Sequence, residues 1–199
     1  RNAIKFGREA VKINENRAIY LNNLASSYFA AGEFKKARDY AQLAVGLSPE
    51  LVEAHFNLGA SLGKLKNHTK SEAAFRAALR IEINNADAIS QLIKSFLYQS
   101  KNQEALDFSS RLLEIQPENP TPHYYMSVAY RQSEDYSNAV ISLRLFLEKR
   151  PEFFPAYQDL CESYLKLNPP KSEEARIVAQ AALNRGVSLS SELKKKLGL

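Results

Sequence analysis

From Ala18 to Leu51 the apolar and small positions run Leu21, Leu24, Ala25 and Tyr28, then, beyond Gly32, Ala37, Ala41, Ala44 and Val45. Steps of three and four residues put each set on one side of an α-helix. Polar residues fill the positions between them, so the stretch predicts two short helices joined by a turn at Gly32. Ala25 and Ala37 let the pair approach closely, while Leu24 and Tyr28 fill the space beside them. One such hairpin cannot bury its apolar face alone, so it needs a neighbour of the same kind.

The sequence supplies those neighbours at a step of 34. Leu24, Leu58, Leu92, Met126 and Leu160 form one column, and Tyr28, Leu62, Phe96, Tyr130 and Tyr164 form another. Small residues recur at Ala37, Ser71, Ala105 and Ala139, then at Ala175 after a two-residue slip. Pro49, Pro117 and Pro151 punctuate the copies. Self-similarity of this kind marks an array of stacked units.

The columns resemble the tetratricopeptide repeat (TPR), with its Trp-x2-Leu-Gly-x2-Tyr, Ala-x3-Phe and Pro pattern. Leu21, His55, Ile89, His123 and Tyr157 hold the Trp slot, and Ala25, Gly59, Ser127 and Cys161 the Gly slot. Ile93 departs from that slot and predicts looser packing in its repeat. The resemblance implies an all-α fold, an α-solenoid of tandem TPR helix-turn-helix repeats, with the right-handed superhelix of the family. The expected organisation is one solenoid domain. Residues 1–17 carry the second helix of an incomplete repeat, followed by repeats at 18–51, 52–85, 86–119, 120–153 and 154–189, the last with a two-residue insertion. A capping helix follows at 190–199. The half-repeat leaves an apolar face open, to be covered by a longer array upstream or by another molecule, self-association included.

Local signals refine the boundaries. Ser48-Pro49-Glu50 reads as a helix start, Asn84-Asn85 as a helix stop, and Ser172 as the cap of the helix behind Pro169-Pro170. Ser190 or Ser191 starts the last helix, and the Lys194-Lys195-Lys196 run gives it a polar outer side.

Composition excludes more than it assigns. The chain has 199 residues, 45% of them hydrophobic, one cysteine and no run long enough to cross a membrane. A cytoplasmic location is the default, with export left open because the chain does not begin with Met. The formal net charge is +5, but Lys and Arg are scattered among Asp and Glu in every repeat, whereas nucleic-acid binding needs a coherent basic stripe. His55 and His123 sit in large-residue slots, and three dispersed histidines supply no metal pair. Gly59 to Lys64 is one residue short of a phosphate loop and lies inside a helix. Catalytic residues, metals and cofactors are therefore expected to be none.

What remains is binding, on the side of the first helices that faces away from the packed one. The resemblance makes this the lining of a concave groove. The candidates are Asn22, Asn23 and Ser26; Phe56, Asn57 and Lys64; Ser90, Gln91, Lys94 and Tyr98; Tyr124, Tyr125 and Arg131; and Asp159. Asn23, Asn57, Gln91, Tyr125 and Asp159 form a hydrogen-bonding column that can clamp a peptide backbone. It resembles the asparagine ladder of the O-linked N-acetylglucosamine transferase family, matched at Asn23 and Asn57. Ordinary exposed polar residues explain the column equally well. Lys64, Lys94, Arg131 and Lys166 sit late in their helices and can either orient an acidic peptide or complement the helix dipole. The set by which the chaperone-binding subgroup holds a terminal carboxylate agrees only at Asn57, which disfavours a heat-shock chaperone C-terminus as partner. A non-enzymatic scaffold or adaptor that binds a partner peptide or domain is the leading expectation. The recognition segment of a larger enzyme such as a glycosyltransferase comes second, and helical-repeat RNA binding third.

Overall fold

The structure is a computed structural model that describes residues 2–14 and 17–199; Arg1, Glu15 and Asn16, which fall in the expected half-repeat, lie outside the described residues. Among the described residues there are twelve α-helices and no strand, so the fold is all-α. The chain divides into two compact units, the first ending at Gln99 and the second beginning at Ser100.

The first unit holds α1 (Asn2–Ile13), α2 (Ala18–Ala30), α3 (Phe34–Leu47), α4 (Val52–Lys64), α5 (His68–Ile81) and α6 (Ala86–Tyr98). Each helix packs on the next, and α4 also touches both α2 and α6. The helices α2, α4 and α6 thus lie side by side. The core is built from the predicted columns: Ala25, Ala41, Leu58, Leu62 and Ala74 form one buried cluster, and Leu24, Tyr28 and Ala37 another. Each fully buried leucine contributes about 1.5–3 kcal/mol. Ile93, the departure from the small slot, is completely buried. Helix α1 buries no residue fully and leaves Phe6 and Ile13 exposed.

The second unit holds α7 (Asn102–Ile115), α8 (Thr121–Gln132), α9 (Tyr136–Lys149), α10 (Pro155–Lys166), α11 (Ser172–Asn184) and α12 (Ser191–Leu197), again packed in sequence. Its core joins Leu143, Phe146, Tyr157, Leu160 and Cys161 to Leu193 and Leu197 of α12.

The turns repeat as faithfully as the helices. Gly32, Lys66, Ser100 and Glu134, spaced by 34, all have positive φ. At the first, Glu33 N–H donates to Tyr28 C=O at 2.9 Å and Gly32 N–H to Phe29 C=O at 3.0 Å. The same two bonds recur at residues 66–67 and 134–135. This is the Schellman closure, which satisfies the last carbonyls of the helix.

Three local expectations are corrected. Ser48 closes α3 and does not start α4, which begins at Val52 behind an extended Leu51. Asn85 starts a helix and does not stop one, its side chain accepting from Ala88 N–H at 2.9 Å. Ser172 makes no side-chain cap, because it is already the first residue of α11, with Lys171 in the capping position. The distinction between cap and first turn is a single residue, finer than periodicity resolves.

Candidate functional site

In the first unit, α2, α4 and α6 carry the first ten candidates. Asn22 is almost buried, and its side-chain oxygen accepts from Asn57 Nδ2 at 2.8 Å. That bond ties α2 to α4 and holds the Asn57 amide in place. Asn23 and Ser26 are exposed on α2, and Ser90 and Gln91 are half-buried on α6. Phe56 meets Phe75 edge to face, with centroids 5.6 Å apart, so part of its ring serves packing. Tyr98 is 73% exposed and stacks on His68 at 4.5 Å.

Lys64 is exposed at the end of α4, and Lys94 is half-buried on α6. Burial pushes the Lys94 ammonium below its ordinary value, and the like charge of Lys64 adds to the effect. Neither lysine forms an ion pair among the described residues.

The second unit treats its candidates differently. Arg131 on α8 binds Asp159 of α10 and donates to Glu162 at 2.9 Å. The Tyr124 hydroxyl donates to Asp159 at 3.4 Å, while its ring packs on Phe146 and Phe153. Burial nevertheless holds the Asp159 carboxyl above its usual range, against the pull of Arg131. Tyr125 lies inside, its hydroxyl pushed up to about 12 by burial. Lys166 sits over the Tyr136 ring, 5.4 Å from its centroid. In this unit the candidate groups are engaged with one another or with the core.

One supporting column escaped the sequence reading. Ser27, Ser61, Ser95 and Ser163 each donate to the backbone carbonyl four residues earlier, at Asn23, Asn57, Gln91 and Asp159, over 2.7–3.1 Å. These carbonyls belong to the polar column itself. The serines recur at the period of 34, with Ala129 in the fourth copy, so the signal was present in the sequence.

Other chemistry is sparse. The Cys161 thiol is buried and pushed up to about 12, far from the thiolate a nucleophile requires. No group of His, Cys, Asp and Glu among the described residues is placed to hold a metal ion. No helix among them is long and apolar enough to cross a membrane. A cleft of about 550 Å³ opens between α3 and α5, lined by Arg38, Gln42, Ala73 and Ala77, with Leu58 and Leu62 of α4. His55, whose ring nitrogen is 2.8 Å from the Pro49 carbonyl, also lines it.

A sequence model of the tetratricopeptide repeat family matches residues 5–51 and 22–87. The fold is similar to that of YrrB, described as a TPR protein with an unusual peptide-binding site, at 17% identity with 94% of each chain covered and a TM-score of 0.76. It is equally similar to that of MamA, at 18% identity, covering 92% of this chain and 96% of that one, with a TM-score of 0.77. Among curated proteins, the chain is 26% identical over 172 residues to the mouse protein O-mannosyl-transferase TMTC3 and 24% identical to the human one. It spans only 16–17% of their length. The family model matches the first repeats, and the helix hairpin it describes recurs in both units, a fold similar to that of the TPR protein YrrB.

Proposed function

We propose that the chain is a non-enzymatic interaction segment that binds an extended peptide of a protein partner on the α2–α4–α6 face of its first unit. The observation that carries this reading is the polar row Asn23, Asn57 and Gln91. Its helices are locked side by side, and Asn57 is fixed by the bond to Asn22. A carboxamide both donates and accepts, which is what an extended backbone offers at every second residue. Fixing Asn57 beforehand lowers the entropy cost of binding. A peptide-binding site in a protein of the same fold, as described for YrrB, agrees with it.

The test is an immobilised array of unrelated ten-residue peptides probed with the full chain. The reading expects a set of bound peptides whose binding drops by about tenfold, or 1.4 kcal/mol, in Asn57→Ala. Binding that ignores Asn23→Ala and Asn57→Ala removes the site assignment.

A second reading has its own support in the likeness to TMTC3, which is named as a protein O-mannosyl-transferase. Here the same face selects partners or substrates for a transferase domain elsewhere in a longer protein. It expects that Asn57→Ala in the full-length gene product lowers mannosyl transfer to a protein acceptor and leaves transfer to a short acceptor unchanged. Equal effects on both acceptors reject it.

A further inference from the structure

Four cations were candidates for steering an acidic ligand, and the structure separates them. Arg131 is neutralised by Asp159 and Glu162, and Lys166 is placed over an aromatic ring. Lys64 and Lys94 remain without a carboxylate among the described residues, on two helices that touch. Lys94 is half-buried, and the charge that acts on it is another lysine, Lys64. A half-buried ammonium with no counter-ion is an unfavourable arrangement that an anion relieves.

The surrounding positions leave room for one. The column of Lys94 holds Ser26 and Ala60 in the two preceding repeats, both small. Exposed Tyr98 lies one turn beyond Lys94 and offers a flat apolar surface, its ring already held by His68. The charge of the whole chain points the same way. Residues 1–99 carry 14 Lys and Arg against 9 Asp and Glu, whereas residues 100–199 carry 13 of each. The entire net charge of +5 therefore sits in the first unit. A field of that sign attracts an acidic chain and raises its rate of association.

We propose that the peptide taken by this face is acidic, with an Asp or Glu side-chain carboxylate received between Lys64 and Lys94 while the backbone runs along Asn23, Asn57 and Gln91. The inference rests on the binding reading above and adds the chemistry of its ligand. The anion of this proposal is an internal side chain, so the peptide passes through the groove.

The experiment uses the full chain and three fluorescein-labelled peptides read by anisotropy: Gly-Ser-Gly-Glu-Glu-Glu-Gly-Ser-Gly amide, the same peptide with Gln for Glu, and the same with Lys for Glu. The Glu peptide is expected to bind at least about tenfold more tightly than the Gln peptide, and the Lys peptide to bind weakest. In the Lys64→Gln, Lys94→Gln variant the Glu peptide falls to the level of the Gln peptide. The variant should melt no lower than the parent, since neither lysine has a carboxylate partner to lose. Glu and Gln peptides bound equally, or a Glu preference that survives the double substitution, overturns the acidic assignment. If Asn57→Ala still weakens those peptides, the binding reading stands without it. Binding by none of the peptides overturns the acidic assignment, and an array blank as well takes the binding reading with it.

Discussion

At the residue level the array works by exchanging volume between facing columns. A Cβ built on Gly59 would come within 2.9 Å of the Phe75 ring, closer than real contacts allow. One repeat earlier the same two columns hold Ala25 and Ala41, which pack in one cluster. Where the second helix gains a phenyl ring, the first gives up its methyl group. Gly59→Ala is therefore expected to destabilise the protein by about 1–3 kcal/mol through overpacking. Adding Phe75→Leu should return part of that loss, measurable as a coupling in a double-mutant cycle; strict additivity would contradict the exchange. The turn column gives a prediction of opposite sign. Lys66 and Glu134 occupy left-handed backbone, as Gly32 does, but carry a side chain that disfavours it. Lys66→Gly and Glu134→Gly should each stabilise by roughly 0.5–1 kcal/mol, less than the full strain because glycine also loosens the unfolded chain. A lower melting temperature in either variant would count against the assignment.

Between elements, the two units solve the same problem with different chemistry. In the first, a hydrogen bond from the Asn57 carboxamide to that of Asn22 spans α2 and α4. In the second, Arg131 spans α8 and α10 through two carboxylates. Arg131→Ala leaves those carboxylates facing one another. Asp159 is 18% exposed and Glu162 39%, so solvent screens the second arm, and the expected loss is about 1–2 kcal/mol at neutral pH. Its pH dependence has a definite sign. The Asp159 carboxyl titrates above its ordinary value in the folded state, so the folded protein holds its proton more firmly than the unfolded chain. That contribution is present below the ordinary carboxylate value and is lost as pH rises through the folded one. Removing the arginine raises the folded value further. The deficit of Arg131→Ala against the parent should therefore grow between about pH 3 and pH 7 in urea titrations. A deficit independent of pH would mean that the guanidinium acts by packing alone. The caps give a plainer case: Asn85→Ala should cost about 1 kcal/mol, read as a lower urea midpoint, since its side chain satisfies the Ala88 N–H.

For the molecule as a whole, burial is unevenly spread, and in the first unit it grades stability along the chain. Helix α1 buries no residue fully, whereas α4 and α5 each bury six or more residues. Amide exchange followed by mass spectrometry should show α1 losing protection first in the first unit, with α4 and α5 among the last. Uniform protection from α1 to α6 would contradict this ranking. Charge is likewise unevenly divided. The composition reads as a mildly basic chain with mixed surfaces, and only the partition at Gln99 reveals a basic unit and a neutral one.

Periodicity alone determined the all-α class, the helix pairs and nearly all of the core, because a helix's buried face is set by neighbours three and four residues away. Leu24, Leu58 and Leu92 could be placed inside before any coordinates were known, and all three are buried. Which polar groups are free to act was decided only in three dimensions. Arg131 and Lys94 look alike in the sequence, late in their helices on the same side. One finds carboxylates 28 and 31 residues away, and the other finds none among the described residues. Hydrogen bonds and ion pairs act over about 3 Å, so their partners depend on how separate helices pack, which no local spacing records.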